Sequence, residues 1–264
     1  MPSPASVFVV DRDRVASTEL SRGPWHPSAQ HGGAPAALLA AMAQRAMPAG
    51  EGWLMTRLTV EFPRPVPVAP LQVELDVQPG GSVRRVALAL RHGDEVVARA
   101  IALFVRERTI DLAASRAGVR LRPPRLCTDP IRIPGMAEQT SFHYEAMESR
   151  VAAGEVGAPG PAAAWFRFRV PLVEGWQTPP CARAAAAADF ANGISWTIPL
   201  ERYLFANADL TVYLHRQPRG EWVGVDAETI VGDNGVGLTR STLHDEDGPI
   251  GFAHQTLVIK PKGA

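Results

Sequence analysis

The sequence predicts an α+β fold built from two tandem copies of one unit, each an antiparallel sheet wrapped around a long buried helix. Three observations predict it. The chain repeats itself: Leu58-Thr59-Val60-Glu61-Phe62-Pro63-Arg64-Pro65 recurs as Leu210-Thr211-Val212-Tyr213-Leu214-His215-Arg216-Gln217-Pro218, with one extra residue before the proline. Further on, Val97 to Val105 aligns with Gly251 to Ile259 without a gap. Each copy holds one helix-forming segment that is apolar nearly all round, which a flat sheet cannot bury but a curved one can. The segments after each helix alternate apolar and polar residues, as strands with one buried face do.

In the first copy, Ala34 to Met47 is rich in Ala, Leu and Met, with Pro35 tolerable in the first turn and Gly32-Gly33 just outside it. Apolar residues surround this helix until Gln44 and Arg45. Strands follow, with Val73, Leu75 and Val77 alternating against Gln72, Glu74 and Asp76, and turns at Pro79-Gly80-Gly81 and His92-Gly93-Asp94. The stretch 109–140, with Pro123-Pro124, Pro130 and Pro134, has no partner in the repeat and reads as a linker. Phe142 to Tyr144 and Trp165 to Val170 open the second copy as strands. A second helix from Arg183 to Ala191 follows, ending near Asn192-Gly193 where a left-handed cap costs little. Val223, Val225 and Ala227 then alternate with Gly224, Asp226 and Glu228, with turns at Asn234-Gly235 and Asp247-Gly248. The domain organisation is thus 1–108, a linker at 109–140, and 141–264.

Composition narrows the function. The 264 residues are 46% hydrophobic and 20% charged, with a formal net charge of zero. That balance is ordinary for a globular protein and gives no basic surface for nucleic acid. Nothing approaches the roughly 20 apolar residues of a membrane span, and the N-terminus lacks the basic and apolar regions of a signal peptide. A cytoplasmic location follows by default. Cys127 and Cys181 have neither metal nor dithiol spacing and read as free thiols.

The two copies differ in their chemistry. The second helix carries Asp189 where the first has an apolar residue near Ala37, and Gln255 of the last strand falls against Ile101. A duplicated unit with polar residues in one copy only points to a single site. A carboxylate in an apolar helix has to meet strong hydrogen-bond donors or give up its charge, and either outcome suits a general base. The plain alternative is that Asp189 bonds Asn192 at a helix end. Asn207 could be a turn residue beside Asp209, and Gln255 an outward strand residue. His31-Gly32-Gly33 brings backbone N–H groups close at a helix start, where they can polarise a carbonyl, although such a His is also a common cap or packing residue. No Gly-x-Ser-x-Gly elbow exists, which disfavours a serine hydrolase. Gly232 to Gly237 is a hairpin turn rather than a nucleotide loop, since no helix follows it.

Three local motifs carry a resemblance: Gln30-His31-Gly32-Gly33, Asn207-Ala208-Asp209-Leu210-Thr211-Val212-Tyr213-Leu214-His215-Arg216, and Phe252-Ala253-His254-Gln255. In that order and spacing the chain resembles the double hotdog acyl-CoA thioesterases of the bacterial type II kind and related thioesterase-like proteins. The resemblance implies a tandem double hotdog that hydrolyses fatty acyl-CoA to free acid and coenzyme A, with no metal or redox cofactor. It implies a catalytic Asp on the second helix, a Thr or Ser opening the next strand, and a Gln in the final strand. By position these fall on Asp189, Asn207 and Gln255, so an amide stands where the pattern has a hydroxyl. Thr211 is the reserve candidate, four residues on. In this expectation Asp189 activates water, Gln255 and Asn207 hold that water, and a helix N–H near Gly33 or in the second helix meets the oxyanion. Met42, Trp196 and Phe205 are candidates to line the acyl tunnel. Two alternatives stand beside it. One is a non-catalytic acyl-thioester-binding or assembly module. The other is a hotdog hydratase or dehydratase, which wants a His paired with an acid, and the second helix contains no His. A homo-oligomer paired through outward sheet faces is an arrangement the pattern allows.

Overall fold

The computed structural model describes residues 5–262 apart from 25, 113–117, 132–139 and 157. The hairpin β1 (Phe8–Asp11) and β2 (Arg14–Ser17) precedes helix α1 (Gly33–Arg45), which is followed by β3 (Trp53–Glu61), β4 (Pro70–Gln78), β5 (Val83–His92) and β6 (Glu95–Arg106). The second half repeats the plan. Strands β7 (Met147–Ala153) and β8 (Ala162–Phe168) precede α2 (Pro180–Ala188) and the short α3 (Ala191–Ile194). Then come β9 (Tyr203–Asn207), β10 (Asp209–Leu214), β11 (Val223–Val231), β12 (Val236–Asp245) and β13 (Gly248–Pro261).

All these strands belong to one sheet, in the order β1-β2-β4-β5-β6-β3-β10-β13-β12-β11-β8-β7, with β9 paired to β13 off that path. Where the sequence predicts two sheets, the structure has two six-strand halves joined edge to edge by β3 and β10. Their register pairs Leu210 with Val60, Thr211 with Thr59 and Val212 with Leu58. Thr59 and Thr211 are equivalent in the repeat and face each other across the join, where the Thr211 hydroxyl donates to Thr59 Oγ1 at 3.3 Å. Joining the halves this way removes two exposed edges at once.

The inner face of the sheet holds the helices, which pack on each other. Gly33 lies against the Ala186 carbonyl, and a Cβ placed there would be 2.8 Å from that oxygen. At the other end the Cys181 thiol reaches Ala40 O and Gln44 Oε1. The helices therefore run antiparallel, and the alanines of both let their backbones come close. Every α1 residue from Gly33 to Ala43 is buried, as its all-round apolar character requires.

Several local expectations change. Pro180 starts α2 from its first turn, three residues before the predicted start, as its fixed φ allows. The helix stops at Asp189, and α3 continues from Ala191 in place of a left-handed cap at Gly193. Phe142–Ala146 forms a π-helical turn rather than a strand, with Ser141 Oγ accepting from the Tyr144 N–H at 3.3 Å. Three residues carry too little periodicity to distinguish the two. The alignment of Gln255 with Ile101 is out of register by one. Ile101 is 47% exposed on the outer face whereas Gln255 is 2% exposed and points inward. A shift of one restores the alternation and makes Ala102 the equivalent residue, because one step along a strand changes the face.

Part of the 109–140 stretch, including Pro134, lies outside the described residues. Of the rest, the segment from Leu121 to Cys127 packs onto the outer face of the second half, while Ile131 joins the inner core. Leu121 fills the space above Gly224, the Trp165 indole donates to the Arg122 carbonyl at 2.7 Å, and Cys127 clusters with Trp165 and Trp222.

Candidate active site

Asp189 closes α2 at its last turn and is 4% exposed. Three side chains from three other places converge on it. Asn207, ending β9, donates through Nδ2 to Oδ1 at 2.8 Å. Gln255, on the inner face of β13, donates through Nε2 to the same oxygen at 3.2 Å. His31, just before α1, brings Nδ1 to 2.9 Å from Oδ2. Inward alternation along β13 delivers Gln255, since Ala253 and Leu257 share its buried face. The end of β9 delivers Asn207, two residues past the inward Phe205.

The amides thus hold the carboxylate itself, where the sequence reading has them holding a water. Gln255 is engaged at both ends: its Oε1 accepts from the Asn192 N–H at 3.2 Å. Asp189 itself shows no bond to the Asn192 side chain; its donors are Asn207, Gln255 and His31. Gly32 has a steric role. A Cβ there would lie 2.9 Å from both Asp189 oxygens, so the carboxylate occupies the place a side chain would take. The carboxylate also sits at the start of α1, whose first turn holds no acidic residue of its own. Partial positive charge at that helix end favours the arrangement.

His31 Nδ1 also lies 3.1 Å from the Gly33 nitrogen. One ring nitrogen cannot donate to a carboxylate and accept from an N–H in the same tautomer. The carboxylate oxygen at 2.9 Å is an acceptor and selects Nδ1–H. Phe190, Phe142 and Phe166 pack around this pair, with the His31 and Phe190 rings 4.4 Å apart and Phe190 stacked on Phe166 at 4.3 Å.

Beside this cluster lies a cleft of about 400 Å³, its open mouth included, lined by His31, His143, Ile131, Phe190 and the α3 residues Asn192 to Ile194, with Pro24 at its side. His143 is buried, and its Nε2 lies 3.3 Å from the Ile131 carbonyl, which as a pure acceptor requires Nε2–H. Burial, with His31 nearby, pushes the His143 pKa down to about 4 against the pull of that carbonyl bond. A second cavity of about 190 Å³, open space included, is lined mostly by apolar residues, with Asn192, Thr197 and Thr229 among them. Trp196 and Phe205 line it; Met42, the third expected tunnel residue, lies in the core instead.

The structure therefore gathers Asp189, Gln255, Asn207 and His31, with Gly32 against the carboxylate. Thr211 is elsewhere. Ala208 interrupts the strand after Asn207, β10 starts afresh at Asp209, and Thr211 lies on the face opposite the buried Leu210 and Val212. Gly33 is buried and packed on Ala186 and Phe142, and it does not line the cleft. Two polar cleft residues, His143 and Asn192, are not among the site residues that the sequence offers. His143 sits in a turn with no periodic signal. Asn192 was detectable, being three residues after Asp189 and so on the same side of a helix.

Comparison with known proteins bears on the family and the fold. Residues 124–259 match the acyl-CoA thioesterase C-terminal domain and residues 21–105 the acyl-CoA thioesterase N-terminal domain. No curated protein sequence matches the chain. Among solved structures, a hot dog fold protein of unknown function from Alicyclobacillus acidocaldarius aligns with a TM-score of 0.72 at 20% identity, over 97% of this chain and 96% of that one. The acyl-CoA thioesterase II TesB2 from Mycobacterium marinum aligns at 0.69 and 17% identity, over 98% and 97%. The dehydratase domain of the polyketide PpsC from Mycobacterium tuberculosis is more distant, at 0.51 and 16% identity over 97% of each chain. These structural likenesses establish the hotdog fold. With both halves matched by the family's own domains, the chain belongs to the acyl-CoA thioesterases, a family of thioester hydrolases.

Proposed function

We propose that the chain hydrolyses fatty acyl-CoA to free acid and coenzyme A, with Asp189 as the base. The observation that carries this reading is the buried Asp189 carboxylate held by Asn207, Gln255 and His31 beside an open cleft. A carboxylate offers about four acceptor positions, and three are taken, so one remains for a water. That water attacks the thioester carbonyl carbon as its proton passes to Asp189. The tetrahedral intermediate then expels the thiolate; the proton returns to sulfur, giving the free acid and coenzyme A. Asn207 cannot relay a proton as a hydroxyl can, and its task in this reading is to fix the carboxylate. The domain boundaries at 108 and 141 belong to the same proposal, with the site assigned to the second unit and completed by His31 of the first. So do a cytoplasmic location, acyl-CoA as the binding partner, and a homo-oligomer as the assembly to test; no helix among the described residues is long and apolar enough to cross a membrane.

A second reading has one observation in its favour. A hydratase or dehydratase wants a His paired with an acid, and His31 supplies it from the first half, 2.9 Å from Asp189. There His31 Nε2, backed by Asp189, moves the proton. Thiol release from acyl-CoAs between acetyl and palmitoyl, measured alongside the absorbance of an enoyl-CoA, separates the two. Hydrolysis releases free thiol, whereas hydration removes the enoyl absorbance and releases none. An acyl-binding module does neither.

A further inference from the structure

An oxyanion forming on a thioester carbonyl needs a donor already in place, and the cleft offers few. Its polar side chains are His31, His143 and Asn192. His31 gives its ring proton to Asp189, and His143 gives its Nε2 proton to the Ile131 carbonyl. The Asn192 amide is different: among the described residues its side chain has no hydrogen-bond partner, while its backbone N–H is tied to Gln255. The residue is half-buried, so the amide is neither lost in the core nor free in solvent. It also borders both cavities, the cleft on one side and on the other the apolar pocket of Trp196, Ile198, Phe205, Leu257 and Ile259.

We propose that the Asn192 side-chain amide is the oxyanion donor, receiving the thioester carbonyl oxygen where the apolar pocket and the cleft meet. The acyl chain then runs into the apolar pocket and the pantetheine arm leaves through the cleft. This assignment rests on the hydrolytic reading above and adds to it a catalytic residue that touches the reacting carbonyl. Tethering of the Asn192 backbone to Gln255, which itself holds Asp189, keeps donor and base in one rigid unit.

The test measures kcat and KM for thiol release by wild type, Asn192→Ala, Asn192→Asp and Asp189→Asn, with thermal melting of each. Both Asn192 variants are expected to lose about 100- to 1,000-fold in kcat, with a much smaller change in KM. The ranking adds a second criterion. Asp is isosteric with Asn, so a packing role would make Asn192→Asp the milder change, whereas an oxyanion donor makes it at least as damaging as Asn192→Ala. Near-wild-type kcat in Asn192→Ala, or clearly higher activity in Asn192→Asp than in Asn192→Ala, overturns the assignment. If Asp189→Asn is dead while the Asn192 variants turn over normally, the donor is wrong and hydrolysis by Asp189 stands. If wild type releases no thiol from any acyl-CoA, both fall.

Discussion

At Gly32 a missing side chain is as informative as any side chain present. The Asp189 oxygens occupy the volume its Cβ would need, so Gly32→Ala must push the carboxylate away or shift the start of α1. Overpacking of this kind costs about 1–3 kcal/mol, and a displacement near 1 Å can cost about 100-fold in rate. We expect Gly32→Ala to lower turnover by about that factor with only a modest loss of melting temperature; normal turnover would mean that the carboxylate position is not critical. His143 predicts a pH effect of defined sign. Its ordinary value is 6.5 and burial holds it at about 4 in the folded chain, so between those values the unfolded chain binds the proton and the folded chain does not. Stability therefore falls as pH drops from about 6.5 to about 4, by roughly 3 kcal/mol in all. His244, also pushed down by burial, acts in the same direction. Urea unfolding at about pH 7 and about pH 5 should show a smaller loss in His143→Phe than in wild type, and equal losses would contradict the assignment. Of these residues the sequence made Asp189 legible, because a lone acid in an alanine helix is conspicuous. It left Gly32's role and His143 hidden, since both depend on which helix meets which turn.

Among the elements, the β12–β13 hairpin shows how the second half is anchored away from the site. Asp245 is fully buried and receives both ends of the Arg216 guanidinium, together with the N–H groups of Arg219 at 2.9 Å and Asp247 at 3.0 Å. Burial alone would push this carboxyl up, but these donors, led by Arg216, hold it below its ordinary value. Removing Arg216 leaves a buried charge half-satisfied, which costs about 3–5 kcal/mol. Arg216→Ala should therefore lower the urea midpoint by that equivalent, while a change under about 1 kcal/mol would show that the pair is solvated. The stabilisation is present above the ordinary Asp range and is lost as pH falls through the depressed folded value, so the Arg216 effect should shrink in acid. Sequence pattern found α1 to within a residue or two and placed the hairpin turns, because their signals are local. It misread Phe142–Ala146 and the start of α2, where a π-turn and a first-turn proline carry no periodicity.

Taken whole, the molecule is a duplication read across one strand pair. Equivalent threonines, Thr59 and Thr211, meet at the join, and six strands extend on either side in the same relative order. The repeat itself was visible in sequence, and so was the restriction of polar residues to one copy. That the halves share a continuous sheet was not, since strand edges are indistinguishable until their partners are known. The sequence does offer His31 of the first half as a site residue, at an oxyanion-binding helix start, but not its contact with the Asp189 carboxylate. The proposed site therefore draws on both copies, although its acid and its amides lie in one. The most direct test is the rate of thiol release at saturating acyl-CoA for wild type against Asp189→Asn, with melting curves to show that both are folded. A loss of about 100-fold or more in the variant is predicted for a general base; unchanged release would contradict hydrolysis by Asp189.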